Sequence, residues 1–195
     1  MQRHKLLLVP SLIAILIFLA ISAYDSVSIN LEDTDSFTIL DYNVYSEGFN
    51  TVLYNPEGDI NYTLRAKSQT LYNDDHTELE KPFIRLFQDG KSRWNIAANN
   101  GRISADLNEN EIENRTIELS GNVEVFSLDA FGNRTVMSTE FIELNPQNKT
   151  LETDQAIKLV TSTLQQSSTG MFANLKIDEI IFHRDIRGYY EQTDN

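Results

Sequence analysis

Two hydropathy patterns divide the chain. From Leu6 to Ala23 the sequence LLLVPSLIAILIFLAISA runs 18 residues without a charge. At 1.5 Å per residue that run makes about 27 Å of helix, enough to cross a bilayer core. Pro10 falls in the first turns, where a missing N–H costs least. Beyond about Thr38 the apolar positions recur with a period of two. Ile60, Tyr62, Leu64 and Ala66 alternate with Asp59, Asn61, Thr63 and Arg65. Trp94, Ile96 and Ala98 alternate with Arg93, Asn95 and Ala97; Val123 and Val125 with Asn122 and Glu124. Ile157 and Leu159 flank Lys158, and Leu175 and Ile177 alternate with Lys176 and Asp178. Such alternation predicts half-buried strands. No long amphipathic helical pattern follows the N-terminal run.

Turn chemistry separates the strands. Asn55-Pro56-Glu57-Gly58 has Asn at i, Pro at i+1 and Gly at i+3, which fits a type I turn. Asp89-Gly90, Asn99-Asn100-Gly101 and Phe131-Gly132-Asn133 supply residues tolerant of positive φ. Short strands at regular spacing predict an antiparallel sandwich, jelly roll or open barrel. A weak internal repeat adds to this. Leu79–Phe87, Ile117–Phe126 and Leu151–Val160 resemble one another, and their last residues stand 39 and 34 positions apart. Each unit reads as a pair of strands that must stack on its neighbours to bury an apolar face. A sheet built this way ends in open edges, which are docking devices if a partner supplies the next strand.

Charge gives the N-terminal run a direction. Arg3, His4 and Lys5 precede it, while Asp25, Glu32, Asp33 and Asp35 follow. That asymmetry places the N-terminus in the cytoplasm. The competing reading is a cleaved signal peptide with Ala20-Ile21-Ser22-Ala23 as a poor cleavage site. The apolar run is longer than a usual signal-peptide core, which favours an uncleaved anchor. The expected organisation is a cytoplasmic tip at 1–5, a transmembrane anchor at 6–23, an acidic tether at 24–38, a β domain at 39–191 and a tail at 192–195.

The whole chain has 195 residues and a net charge of -13. Without Arg3 and Lys5 it retains 14 basic and 29 acidic residues, a balance of -15. That argues against nucleic-acid binding, which needs a basic face. The absence of cysteine excludes disulfides, thiolate nucleophiles and Cys-ligated metals. The only histidines are His4, His76 and His183, not in metal-ligand spacing. His76 reads as a solvated loop residue and His183 as a structural strand residue. No nucleophile elbow, P-loop or dinucleotide fingerprint occurs. The run from Asp106 starts like a calcium loop but carries Glu111 and Ile117 where Gly and Glu are needed. No enzyme, metal or cofactor is expected. The apolar interior has two readings: side chains fill it, or it opens to hold an apolar ligand.

The chain resembles the LptC family, the bitopic inner-membrane component of the lipopolysaccharide export bridge of Gram-negative bacteria. Leu53-Tyr54-Asn55-Pro56-Glu57-Gly58, the strand Ile60 to Ala66, Lys81-Pro82 and Trp94-Asn95-Ile96-Ala97-Ala98 carry the resemblance. So do Leu119 to Val125, Ser138-Thr139, Leu151-Glu152-Thr153, Gly170-Met171 and Ile186 to Glu191. The order matches and covers nearly the whole chain. The resemblance implies an all-β, twisted antiparallel jelly roll, an open sandwich of repeated strand pairs, behind one N-terminal transmembrane helix. It implies a non-enzymatic carrier of lipopolysaccharide. Its partners would be an inner-membrane ABC transporter that extracts the lipid and a soluble periplasmic bridge protein of the same β architecture. On this basis Phe49, Leu79, Trp94, Val123, Val125 and Ile180 are expected to line the lipid groove, with ordinary core packing as the other reading of each. Gly58, Ile186, Arg187 and Tyr190 are the expected docking residues. For Gly58 the other reading is turn geometry; for the last strand it is simple closure. A second functional reading remains open: a tethered β module for adhesion or assembly, with a filled core and no lipid.

Overall fold

The computed structural model describes residues 42–104, 116–128 and 131–190, all within the unit Asp41–Asn195. The expected anchor and tether, and the calcium-like run up to residue 115, lie outside the described residues. Thirteen antiparallel strands form one hydrogen-bonded sheet: β1 (Tyr42–Glu47), β2 (Asn50–Tyr54), β3 (Ile60–Arg65), β4 (Ser68–Tyr72), β5 (Thr77–Glu80), β6 (Phe83–Gln88), β7 (Lys91–Ala97), β8 (Asn100–Ile103), β9 (Ile117–Leu128), β10 (Arg134–Asn145), β11 (Thr150–Val160), β12 (Leu164–Asn174) and β13 (Glu179–Tyr190).

The pairing reduces to a simpler plan. The sheet is a nine-segment meander folded along one crease. β1 and β2 are two halves of one segment, as are β3 and β4, β5 and β6, and β7 and β8. From β9 onward each strand is unbroken but changes register midway, at Thr139/Phe141, Thr139/Glu143, Thr153/Ala156 and Ser167/Thr169 in the four successive pairs. One half of every segment joins a first leaf, in the order β1-β4-β5-β8-β9-β10-β11-β12-β13. The other half joins a second leaf, β2-β3-β6-β7 and then the far halves of β9 to β13. Both leaves therefore run through the segments in chain order.

This plan revises the internal repeat. Its three members are not strand pairs. Each is one segment crossing from the first leaf to the second, at Lys81-Pro82, at Gly121-Asn122 and at Asp154-Gln155. Positive-φ residues among those described fall at the crease (Gly48, Lys81, Gly121, Asn122, Gly170, Asp185) or at the segment tips (Gly58, Asp75, Asp89, Gly90, Gly132, Lys149, Asp178). Bending a segment breaks ladder hydrogen bonds and would strand buried carbonyls. Buried hydroxyls meet them. Thr139 donates to the Ala156 carbonyl at 2.9 Å, Thr153 to Phe141 at 2.6 Å, and Ser168 to Gly170 at 3.0 Å. Gly170 sits at φ +80°, and a Cβ there would stand 2.8 Å from His183 Nδ1. Only glycine allows both the bend and that close packing.

The core lies between the leaves. Leu64, Ile84, Leu86, Ile96, Leu119, Val123, Val125, Ile142, Leu144 and Leu151 are fully buried there. The expected strand at Leu175–Ile177 is instead the turn 175–178 between β12 and β13. Asn174 Oδ1 accepts from the Lys176 N–H at 3.1 Å, and the Leu175 N–H is drawn to the Lys149 carbonyl at 2.9 Å. Such local Asx bonding competes with the ladder. Leu175 stays buried while Ile177 points to solvent.

Candidate functional site: an interleaf cleft and two open edges

The leaves meet tip to tip along one side. There the second-leaf tips of β3, β6 and β7 face the turns 146–149 and 175–178 of the first leaf. Four polar contacts cross the gap. Asn61 Nδ2 donates to Gln147 Oε1 at 2.8 Å, and Lys149 Nζ donates to the Phe87 carbonyl. Gln88 Nε2 donates to the Lys176 carbonyl at 3.2 Å, and the Arg93 guanidinium pairs with Asp178. Partial burial lowers the pKa of Lys149 from its ordinary value, and Lys176 nearby lowers it further.

At the Arg93 end of this seam the leaves part. A cleft of about 790 Å³ opens between them. Trp94, Leu128, Leu159, Leu175 and Ile180 supply its apolar lining, and Lys91, Arg93, Asp89 and Asp178 its charged rim. Its size falls within the range of ligand pockets. Trp94 is 6% exposed and its indole N–H, buried, has no hydrogen-bond partner. Buried donors are nearly always satisfied, so this one calls for a reason.

Of the six residues expected to line a groove, Trp94 and Ile180 come together in this cleft. Leu79, Val123 and Val125 are buried in the packed core. Val123 also borders a polar hollow of about 640 Å³ along the crease, together with Arg187. Phe49 sits on the crease between β1 and β2, partly buried against the core. The alternating pattern did not mark Leu128, Leu159 and Leu175 as a group, because they come from three segments that meet only in the folded sheet.

Of the expected docking residues, Gly58 ends the turn after β2. Its N–H donates to the Asn55 carbonyl at 3.0 Å, its φ is +92°, and no atom lies within 4 Å of a Cβ built there. Ile186, Arg187 and Tyr190 stand on the outer half of β13. That half pairs with β12 and with no other strand among the described residues. Tyr189 and Tyr190 are each 67% exposed. The first segment is the matching edge: among the described residues β1 pairs only with β4 and β2 only with β3, and Tyr42, Val44, Tyr45, Val52 and Tyr54 are exposed.

Neither histidine gathers chemistry. His76 lies in the loop between β4 and β5, as expected, but its ring is largely covered rather than solvated. Its ring stacks on Tyr72 at 4.4 Å, with Nδ1 on Asp74 and Nε2 3.8 Å from Glu78. It staples the tip of the β4–β5 hairpin. His183 packs over Gly170 at the crease. Among the described residues no group of three His, Asp or Glu could hold a metal ion, and no helix is long and apolar enough to cross a membrane.

Comparison with known proteins adds an independent line. The chain is similar to the lipopolysaccharide export system protein LptC of Escherichia coli strain K12 and to its counterpart in Shigella flexneri. Each is 23% identical over 184 residues, covering 91% of this chain and 92% of the relative. The model of the lipopolysaccharide-assembly, LptC-related family matches residues 10–191. A match of that extent, over the crease, the cleft and both edges, makes this chain a member of the LptC-related family.

Proposed function

We propose that the chain is a non-enzymatic carrier in lipopolysaccharide export. Residues 6–23 anchor it in the inner membrane with the N-terminus cytoplasmic, and the β domain, a twisted jelly roll, stands in the periplasm. It receives lipopolysaccharide from an inner-membrane ABC transporter and passes it to a soluble periplasmic protein of the same β architecture. The relatives' names point to this export system. The observation that carries the reading is the pair of open edges. A module that binds one protein needs one free strand, whereas a link in a chain needs two. Here, among the described residues, the first and last segments both offer unpaired strand edges and exposed aromatic residues. Long apolar edges of this kind are an aggregation hazard unless a neighbour covers them.

The cleft supplies a place for acyl chains. Burying them is worth about 0.8 kcal/mol per CH₂ relative to water. Loading from a membrane offers no such gain, because the chains leave one apolar phase for another. The domain then carries passively and the ATP-driven partner sets the direction. The packed core at Leu79, Val123 and Val125 favours the alternative, a tethered protein-interaction module without a lipid. Photo-crosslinkers at Ile180 and Tyr189 separate the two. During active transport Ile180 is expected to label lipopolysaccharide and Tyr189 a periplasmic protein. Labelling of protein alone from Ile180 would sink the carrier.

A further inference from the structure

The four contacts of the seam are not equal. At its β3 end, Asn61 is buried where it meets Gln147, and Lys149 reaches the Phe87 carbonyl from a partly buried position. At its β7 end, the Gln88–Lys176 and Arg93–Asp178 contacts are open to solvent. Exposed pairs of this kind add little and yield to water and salt. Apart from those two contacts, the turn that carries Lys176 and Asp178 is anchored at its start by buried Leu175. Ile177 at its apex is 66% exposed. The open end of the seam borders the cleft, and directly below it lies Trp94 with its unpartnered indole N–H.

We propose that the turn 175–178 is a latch. Through Gln88–Lys176 and Arg93–Asp178 it closes the two leaves over the cleft, and it lifts about Leu175 to admit an acyl chain. The seam opens from its exposed end while the Asn61–Gln147 end holds. Lifting gives the Trp94 N–H access to an oxygen acceptor, from water or from the polar end of the incoming chain. This explains why a costly unpaired side-chain donor is buried there and at no other side chain among the described residues. The latch is a statement about the fold; its cargo rests on the carrier reading above.

Trp94 is the only tryptophan of the chain and so reports on the cleft directly. In the full-length chain in detergent, without lipid, the double variant Arg93→Met with Asp178→Asn removes the ion pair and keeps a residue that tolerates positive φ. Acrylamide quenching of Trp94 is expected to rise at least about twofold with an unchanged far-ultraviolet spectrum. Equal quenching overturns the latch whatever the lipid does. The chain has no cysteine, so Arg93→Cys with Asp178→Cys can be joined by a short bifunctional maleimide. The joined protein is expected to take up at least about tenfold less lipopolysaccharide than the same variant left unjoined. Equal uptake overturns the gating role. If the native chain takes up none, the carrier reading and its cargo fall, and the quenching result still decides the latch.

Discussion

The seventh strand and the outer half of the thirteenth both carry apolar residues at even positions and meet opposite fates. In β7, Trp94 and Ile96 are buried. In β13, Ile186 and Tyr190 also fall at even positions, with Gly188 between them, and stand more than half exposed. Both strands lie in the second leaf. The difference is what covers them. The first-leaf turns 146–149 and 175–178 meet the early segments of the second leaf, at Asn61, Phe87, Gln88 and Arg93. Sheets twist by roughly 20–25° per strand. Across nine segments, two leaves hinged on one crease can then superpose along only one diagonal. That diagonal holds the core, and the other leaves β1 and the end of β13 as overhanging flaps. Burial here is a property of the opposite leaf rather than of the strand.

Three measurements would break or sharpen that contrast. The largest effect is expected from paired truncations. Ile96→Ala, at a site with no solvent exposure, should cost about 2–5 kcal/mol in urea unfolding, while Ile186→Ala should stay within about 0.5 kcal/mol. Similar losses at the two sites would mean that the flap is packed after all. The crease comes next. Gly170→Ala places a Cβ in a left-handed conformation and against His183, and about 1–3 kcal/mol of destabilisation is expected. Adding His183→Ala removes the imidazole contacts and should restore only that share of the loss. Full recovery would show that backbone conformation is not what glycine supplies there.

The smallest effect is electrostatic. A hydrogen bond from Lys67 and a second from Ser68 hold the Glu80 carboxyl below its ordinary pKa. A carboxyl lowered in the folded state stabilises above the ordinary carboxylate range, and that contribution is lost as pH falls through it. Wild type and Glu80→Gln should therefore differ slightly in urea midpoint at pH 7 and converge as the pH falls below the ordinary carboxylate range. A gap that widens in acid would reverse the sign of the linkage and remove Glu80 from the clasp between β4 and β5.

The alternating pattern was enough to place strands at Ile60–Ala66, Trp94–Ala98, Val123–Val125 and Ile157–Leu159, because a period of two leaves few other structures. The turn at Asn55–Gly58 was legible for the same reason: Pro and Gly restrict φ locally. The repeat was visible but misassigned. Similar residues at Leu79, Ile117 and Leu151 mark where segments cross a crease, and a crease exists only once all nine segments lie side by side. Thr139, Thr153 and Ser168 gave no signal as a set, since each hydroxyl answers a carbonyl freed by a bend that local sequence does not announce.

The sequence by itself thus determined an acidic chain of short antiparallel strands behind an apolar N-terminal run, with family likeness along its length. Those features follow from near-neighbour chemistry: periodicity, turn residues and charge. The tertiary structure alone decided which apolar residues fill a core, which line a cleft and which stand exposed on an edge. Those choices depend on how much one twisted leaf covers the other, a sum over many strands that no single segment contains.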